Sequence, residues 1–292
     1  MTDRFRDIKL ASIFGIVGNI FLMIIKTIIG FISGSQAMIA DSLNSAGDIF
    51  SSVMTYIGNR IASKPKDDDH NLGHGKAEYI YSMLISLVMM GTACIIFKDS
   101  LLVIVNNEKY NFSWWLVVVC SITIIVKFCL FVYTYHLSKK YNNLLIKANS
   151  KDHICDCFIT SMNLISCLLT LVGVYVFDGI VGLGISIWMM YVSYNIFIES
   201  YNVLMDKAMD DKTKEKVYDI IKKHKEIIKV NHFNSTPVGY KYQISVTIFV
   251  DGNMTTFESH DIANKLEKEI IKEIDNIYLA VIHVNPMNIK KN

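Results

Sequence analysis

Two pairs of oxygen-bearing side chains interrupt apolar stretches of this sequence, each pair with a spacing of four residues. Asn44 and Asp48 form the first pair, and Asp152 and Asp156 form the second. Residues at i and i+4 share one face of a helix, so each pair presents two oxygen ligands one turn apart. If the two helices face each other, the four side chains can form one binding site for a cation.

The donor types of these pairs favour a hard divalent cation. Carboxylate and amide oxygens suit Mg²⁺, Ca²⁺ or Mn²⁺, whereas zinc sites normally include His or Cys. Cys155 could approach the site, although packing is the alternative role for a small apolar side chain. The carboxylates have alternatives too, because Asp152 could cap the start of its helix and the acids could pair with Lys26 and Lys127.

The charged residues are unevenly distributed along the 292 residues. Residues 206–292 contain 27 of the 56 Asp, Glu, Lys and Arg residues, so the first two thirds are apolar. A helix needs about 20 apolar residues to span a bilayer. Six stretches qualify, at roughly 10–32, 36–58, 79–105, 114–137, 152–177 and 179–198. We expect an α-helical membrane protein with a six-helix transmembrane transport domain (1–205), followed by a soluble domain (206–292).

The C-terminal segment predicts a small α/β domain with the order α-β-β-α-β, as in ferredoxin-like folds. Periodicity and turn residues indicate helices at 211–225 and 256–274 and strands at 229–233, 240–250 and 277–284. A turn is expected at Pro237–Gly239, and Pro286 should end the last strand. Amphipathic two-layer domains of this size often form dimers.

Charge and motifs also limit the class of protein. Lys and Arg cluster before the first span and in the loops after the second and fourth spans, which predicts a cell-membrane protein with both termini in the cytoplasm. The first apolar stretch is too long for a signal peptide, so it should stay in the mature protein. The net charge of +2 does not favour nucleic acid. We see no catalytic triad, phosphate loop or nucleophilic Cys pattern, so we expect neither an enzyme nor a cofactor. A membrane metal sensor is the alternative to a transporter.

Two segments carry a family resemblance. Residues 34–48 (GSQAMIADSLNSAGD) and 67–78 (DDDHNLGHGKAE) resemble the second helix and the following loop of the cation diffusion facilitator family. The resemblance extends over essentially the whole chain. It implies a homodimer in the lipid bilayer that exports divalent cations by alternating access, with protons as counter-ion. The set of Asn44, Asp48, Asp152 and Asp156 resembles the manganese-exporting branch, which implies Mn²⁺, with Zn²⁺, Fe²⁺ or Cd²⁺ as alternatives.

The loop motif also implies further sites. Asp67, His70 and His74 resemble a second metal site near the cytoplasm, and the alternative is a glycine-shaped turn with solvated histidines. Lys76 and Asp206 resemble a charge pair that links the membrane and cytoplasmic parts of the family's proteins, the alternative being two ordinary interfacial charges.

The C-terminal domain departs from the family's zinc-binding pattern. His232, His260 and His283 match ligand positions of a binuclear site, but Thr247 and Asn285 stand where two other ligands are expected. The resemblance therefore implies at most a weak mononuclear site that uses His260 and His283. The alternative is a set of ordinary surface or dimer-interface histidines.

Overall fold

The membrane domain is built from long helices. The computed structural model describes residues 3–33, 36–106, 114–169 and 177–287, and divides them into two compact units. In the first unit these residues form six helices: α1 Asp3–Ser33, α2 Gln36–Ala62, α3 Ala77–Asn106, α4 Trp114–Tyr141, α5 Leu144–Leu169 and α6 Phe177–Leu204. Three of them, α1, α3 and α4, are long and apolar enough to cross a membrane by length and composition alone.

The outer surface of these helices is apolar. Phe31, Trp114, Ile125 and Phe128 are all more than half exposed. Exposed large side chains in such numbers would be unfavourable in water, whereas a bilayer is as apolar as they are. An α-helix pairs its interior backbone polar groups within itself, as a hydrocarbon environment requires. The predicted helical transmembrane domain is therefore confirmed, and its described residues form six helices.

Helix α5 begins at Leu144 rather than at Asp152. Asn143 precedes it, and the Oδ1 atom of Asn143 accepts a hydrogen bond of 2.9 Å from the backbone N–H of Ile146, as an N-cap does. Asp152 thus lies two turns inside the helix, and the suggestion that it caps the helix is wrong. The prediction failed because it followed hydropathy, and polar residues precede the apolar part of α5 without ending the helix.

Helices α1 and α2 pack closely beside Asp48 and in the following turn of α2. A Cβ atom on Gly15 would lie 2.8 Å from the hydroxyl oxygen of Ser52, so a larger residue at position 15 would require Ser52 to move. Asn19 strengthens the contact, because its amide donates to the backbone carbonyl of Asp48 at 3.0 Å and to Ser52 at 3.2 Å. Similarly, α4 packs along α5, and α2 also contacts α5. These contacts fix α2 and α5 side by side.

The second unit contains the α/β domain. Its elements are α7 Asp211–Lys223, β1 Lys229–Val238, β2 Lys241–Asp251, α8 Thr256–Glu273 and β3 Ile277–Met287. The sheet order is β1-β2-β3, with β1 antiparallel and β3 parallel to β2. Ile244, Val246 and Ile248 of β2 pack against Leu266 and Ile270 of α8, and all five are fully buried. The predicted α-β-β-α-β order is confirmed.

Both prolines of this sheet lie inside strands that the sequence had ended at or before them. Pro237 pairs with Tyr242, and Pro286 pairs with Val250. Each proline lies on an edge strand, where its missing N–H interrupts no ladder if it faces away from β2. The strands are therefore longer than predicted.

The hairpin between β1 and β2 turns at Gly239, which adopts a φ of +62°. The loop of residues 66–76 belongs to this unit, and its Gly75 lies against Gly239: a Cβ atom on Gly75 would lie 2.9 Å from the Gly239 Cα. Two glycines are needed for such a backbone contact. The loop motif is thus packed on the turn of the sheet.

Candidate metal centre

Three carboxylates meet inside the membrane domain. Asp48 lies on α2, while Asp152 and Asp156 lie on α5, and one oxygen of each is within 4.8 Å of the others. All three residues are buried, with at most 9% of their surface exposed. Each charged group at bilayer depth costs about 2.5–3.5 kcal/mol on insertion scales, so three acids in one place need a cationic partner.

The fourth predicted ligand, Asn44, lies on α2 one turn before Asp48. Its side chain lies outside the described residues. Cys155 is fully buried, and its sulfur is not among the grouped ligand atoms in the part of the chain that the structure describes. The grouped atoms of this centre are therefore all carboxylate oxygens.

The partner of two of these acids is Lys127 of α4. Its ammonium donates to Oδ2 of Asp48 at 2.7 Å and to Oδ2 of Asp156 at 2.5 Å, and the side chain is only 1% exposed. The alternative of ion pairing is thus realised by Lys127 for Asp48 and Asp156. The ammonium of Lys26, the other lysine of that alternative, instead donates to the Ser45 hydroxyl at 3.1 Å. Three carboxylates against one ammonium leave an excess of two negative charges if all are ionised, so the centre still attracts a divalent cation.

Asp152 is bonded differently from the other two acids. Its Oδ2 atom is buried and accepts no hydrogen bond from the described residues. His153 is fully buried, and neither of its ring nitrogens has a hydrogen-bond partner among the described residues. A buried oxygen without a donor is energetically unfavourable unless a cation or water satisfies it. Asp152 is therefore the acid most open to an incoming ligand.

Asp67, His70 and His74 form a second group in the 66–76 loop, again with ligand atoms within 4.8 Å of one another. Nδ1 of His70 lies 3.2 Å from Asp67, and Nε2 of His74 lies 3.4 Å from it. The backbone N–H of His70 also donates to Asp67 at 2.7 Å and holds the pKa of that carboxyl below its usual value.

The loop closes through a bond from the Gly73 N–H to the His70 carbonyl, with Gly73 at a φ of +77°. Turn formation and the grouping of ligands therefore occur together in this loop. In the same unit, the Lys76 ammonium donates to Asp206 at 2.7 Å. These are the two residues that the family resemblance had singled out as a charge pair.

The histidines of the α/β domain are more scattered. His260 is exposed on α8, where its ring contacts Asn264 at 3.0 Å. His283 is exposed on β3, while its neighbours Ile282 and Val284 pack against the helix-covered core. Side chains alternate between the faces of a strand, so His283 lies on the face away from α8. Neither histidine belongs to a metal-ligand group among the described residues.

The other three positions that correspond to the family's binuclear site in the C-terminal domain lie on the strands of the sheet. His232 occupies the bulge of β1, with a φ of 44°, and Thr247 pairs with His283 in the sheet. Asn285 pairs with Phe249.

Comparison with known proteins agrees with this architecture. Residues 12–205 match the model of the cation efflux transmembrane domain, and residues 209–287 match that of the cation efflux protein cytoplasmic domain, named ZT_dimer. An uncharacterised transporter of Methanocaldococcus jannaschii is 29% identical, over 96% of this chain and 99% of its own. The manganese efflux system protein MneP of Bacillus subtilis is 25% identical, over 98% of each chain.

Among solved structures, the metal-bound C-terminal domain of the CzcD transporter from Thermotoga maritima is 26% identical, with a TM-score of 0.27; the match covers 28% of this chain and all of that one. The two family models together extend over nearly the whole sequence, and the first alone matches well over half of it. These two family-model matches show that the chain belongs to the cation efflux family of membrane transporters.

Proposed function

We propose that this protein exports Mn²⁺ from the cytoplasm in exchange for protons, and that Asn44, Asp48, Asp152 and Asp156 form the transport site. Family membership supports the export of a divalent cation. The main support for this site is that three buried carboxylates from α2 and α5 lie close together. Buried ionisable groups in a membrane domain most often mark an ion pathway.

The choice of Mn²⁺ rests on donor chemistry. The grouped atoms are all carboxylate oxygens, and hard oxygen donors suit Mn²⁺ better than the softer ions. The relative MneP is named as a manganese efflux protein, which supports the same ion. Export of Zn²⁺, Fe²⁺ or Cd²⁺ through the same site is the alternative.

Proton exchange follows from the ligand type. A carboxylate must be deprotonated to bind a metal, so metal binding releases any proton that the group holds. Because α2 and α5 each supply ligands, a relative movement of these two helices would open the site to one side or the other. We propose that the protein works as a homodimer, since its cytoplasmic domain matches a dimerisation domain, with both termini in the cytoplasm.

The other candidate ligands have subordinate roles in this proposal. Asp67, His70 and His74 would bind a second cation next to the cytoplasmic domain, where their donors already lie together. His260 and His283 would bind metal weakly at most, because they lie apart on α8 and on the far face of β3. The transport site therefore determines which ion is exported.

The test is transport by purified protein in liposomes with an imposed pH gradient, offered Mn²⁺, Zn²⁺, Fe²⁺ and Cd²⁺ in parallel. Asp152→Ala and Asp156→Ala should each reduce Mn²⁺ transport by about 100-fold or more, because each removes a ligand and a charge. Asp99→Ala, which changes an exposed acid of α3, is the control and should transport normally. Size-exclusion chromatography checks folding. Full Mn²⁺ transport in either α5 variant would exclude α5 from the site.

A further inference from the structure

The bonding of Lys127 has a consequence for how a metal ion can enter the carboxylate centre. A divalent cation binds carboxylate oxygens at about 2.0–2.6 Å, and the Lys127 nitrogen lies 2.7 Å from Asp48 and 2.5 Å from Asp156. A metal ion bound to the same two oxygens would lie within about 5 Å of the ammonium, because the two centres are separated by at most one metal–oxygen distance plus one nitrogen–oxygen distance. In a buried, water-poor site two positive centres at that separation repel each other strongly.

We propose that Lys127 is a tethered cation that competes with the transported metal for Asp48 and Asp156. This inference rests on the proposed function, because it takes these acids as transport ligands. The ammonium is positioned by α4, which packs along α5, and its stem is buried in the same helix interface. It therefore reaches the acids without leaving the protein, and it can withdraw without being lost.

The centre suggests an order of events. The unpartnered oxygen of Asp152 is the first ligand for an arriving cation, and Lys127 then leaves Asp48 and Asp156 to the metal. After the metal is released, Lys127 returns and neutralises part of the buried charge. A carrier without metal can then change conformation with its acids paired, because a buried ion pair is far less costly than isolated charges.

The proposal predicts opposite effects on binding and on turnover. Lys127→Gln keeps a hydrogen-bond donor but removes the competing charge, so the Kd for Mn²⁺ should fall by about tenfold or more. The maximal transport rate should fall at the same time, because release is slower and the metal-free carrier has lost its counter-ion. Lys127→Arg keeps the charge and should bind Mn²⁺ within a few-fold of the unchanged protein.

The measurements are calorimetry with Mn²⁺ on the full-length protein in detergent and transport rates in liposomes. Lys147→Gln is the matched control, since it removes one ammonium and an exposed ion pair with Glu199 from the same domain, and neither Kd nor rate should change. If Lys127→Gln does not fold, Lys127→Met supplies the same test with an apolar side chain of similar length.

The outcomes separate this inference from the proposed function. If Asp156→Ala abolishes Mn²⁺ binding but Lys127→Gln binds Mn²⁺ with unchanged or lower affinity, the competition is refuted and Lys127 is a structural counter-ion. If Asp156→Ala binds Mn²⁺ as tightly as the unchanged protein, the transport site itself is wrongly assigned. Tighter binding with slower transport in Lys127→Gln supports the inference.

Discussion

Ligand identity is the residue-scale property that should set ion selectivity. Asp152 is buried, accepts no hydrogen bond at Oδ2 from the described residues and lies beside two other acids. Replacing Asp152 would leave both hydrogen bonds of Lys127 in place, although it would remove the bond between Ser51 and the Asp152 carboxyl. Asp48 and Asp156 differ, because replacing either would also remove a partner of Lys127.

Asp152→His should raise Zn²⁺ transport relative to Mn²⁺ transport by about tenfold, because imidazole suits zinc and the hard ion loses an anionic ligand. Asn44→His should shift the ratio in the same direction. The measurement is the ratio of initial rates with the two ions in liposomes. Asp99→His, on the exposed face of α3, is the control. An unchanged ratio in both site variants would mean that selectivity is set elsewhere.

At the scale of elements, a buried ion pair joins three helices of the membrane domain. Glu78, in the first turn of α3, is only 2% exposed and accepts a bond of 2.6 Å from Arg4 of α1. Its other oxygen accepts a bond of 3.0 Å from the backbone N–H of Leu144, which begins α5. One carboxylate thus positions the helix that carries Asp152 and Asp156.

Glu78→Ala should lower the free energy of unfolding by about 3–5 kcal/mol, because it leaves the Arg4 charge buried without this partner. The double variant Arg4→Met/Glu78→Leu should be more stable than Glu78→Ala, since it removes both charges. Thermal unfolding in detergent measures both. Glu199→Ala, which breaks an exposed pair with Lys147, should cost at most about 1 kcal/mol. If the Glu78 and Glu199 variants lost equal amounts of unfolding free energy, the buried Arg4–Glu78 pair would not stabilise the membrane domain as we infer.

The start of α8 should respond to acid. Glu258 accepts bonds from the backbone N–H and the hydroxyl of Thr255, and these bonds lower the pKa of the Glu258 carboxyl. A lowered pKa in the folded state means that this stabilisation is present above the ordinary glutamate value, about 4.3, and is lost as the pH falls through the folded value.

Amide exchange of the first turn of α8 should therefore accelerate as the pH falls below about 4.3, beyond the intrinsic pH dependence of exchange. Glu258→Gln should lose this extra response, since glutamine keeps a hydrogen-bonding side chain that does not titrate. Hydrogen exchange followed by mass spectrometry measures both. The same acid response in the Gln variant would assign the effect to another group.

At the scale of the whole molecule, transport direction depends on orientation in the bilayer. The basic residues gather at the start of α1 and in the connections that follow α2 and α4, all of which would face one side of a six-helix bundle. By the positive-inside rule, we expect that side to be the cytoplasm. Metal taken up there and released on the other side would then be exported.

Reporter fusions should therefore place residue 292 and the 66–76 loop in the cytoplasm, and the connection between α3 and α4 on the opposite side. Glycosylation or enzymatic reporters at these three positions measure the orientation. Moving basic residues from the connection after α2 to the one after α3 should weaken the orientation. A C-terminal reporter found outside the cytoplasm would reverse the proposed direction of transport.

The sequence by itself determined the element order, the two-part organisation and the pairing of acids on α2 and α5. These properties are local: hydropathy along the chain marks helices that need lipid, and a spacing of four places side chains on one helical face. The family motif in residues 34–48 and 67–78 added the expectation of cation export, which the family matches support.

Only the tertiary structure decided which partners these residues have. Lys127 is a lone charge in an apolar span, and its contact with Asp48 and Asp156 depends on how α4 packs beside α5. The strands continue through Pro237 and Pro286 because both lie at sheet edges. Strand order and helix packing are set by contacts between distant segments, and no local pattern of residue types records which segments will meet.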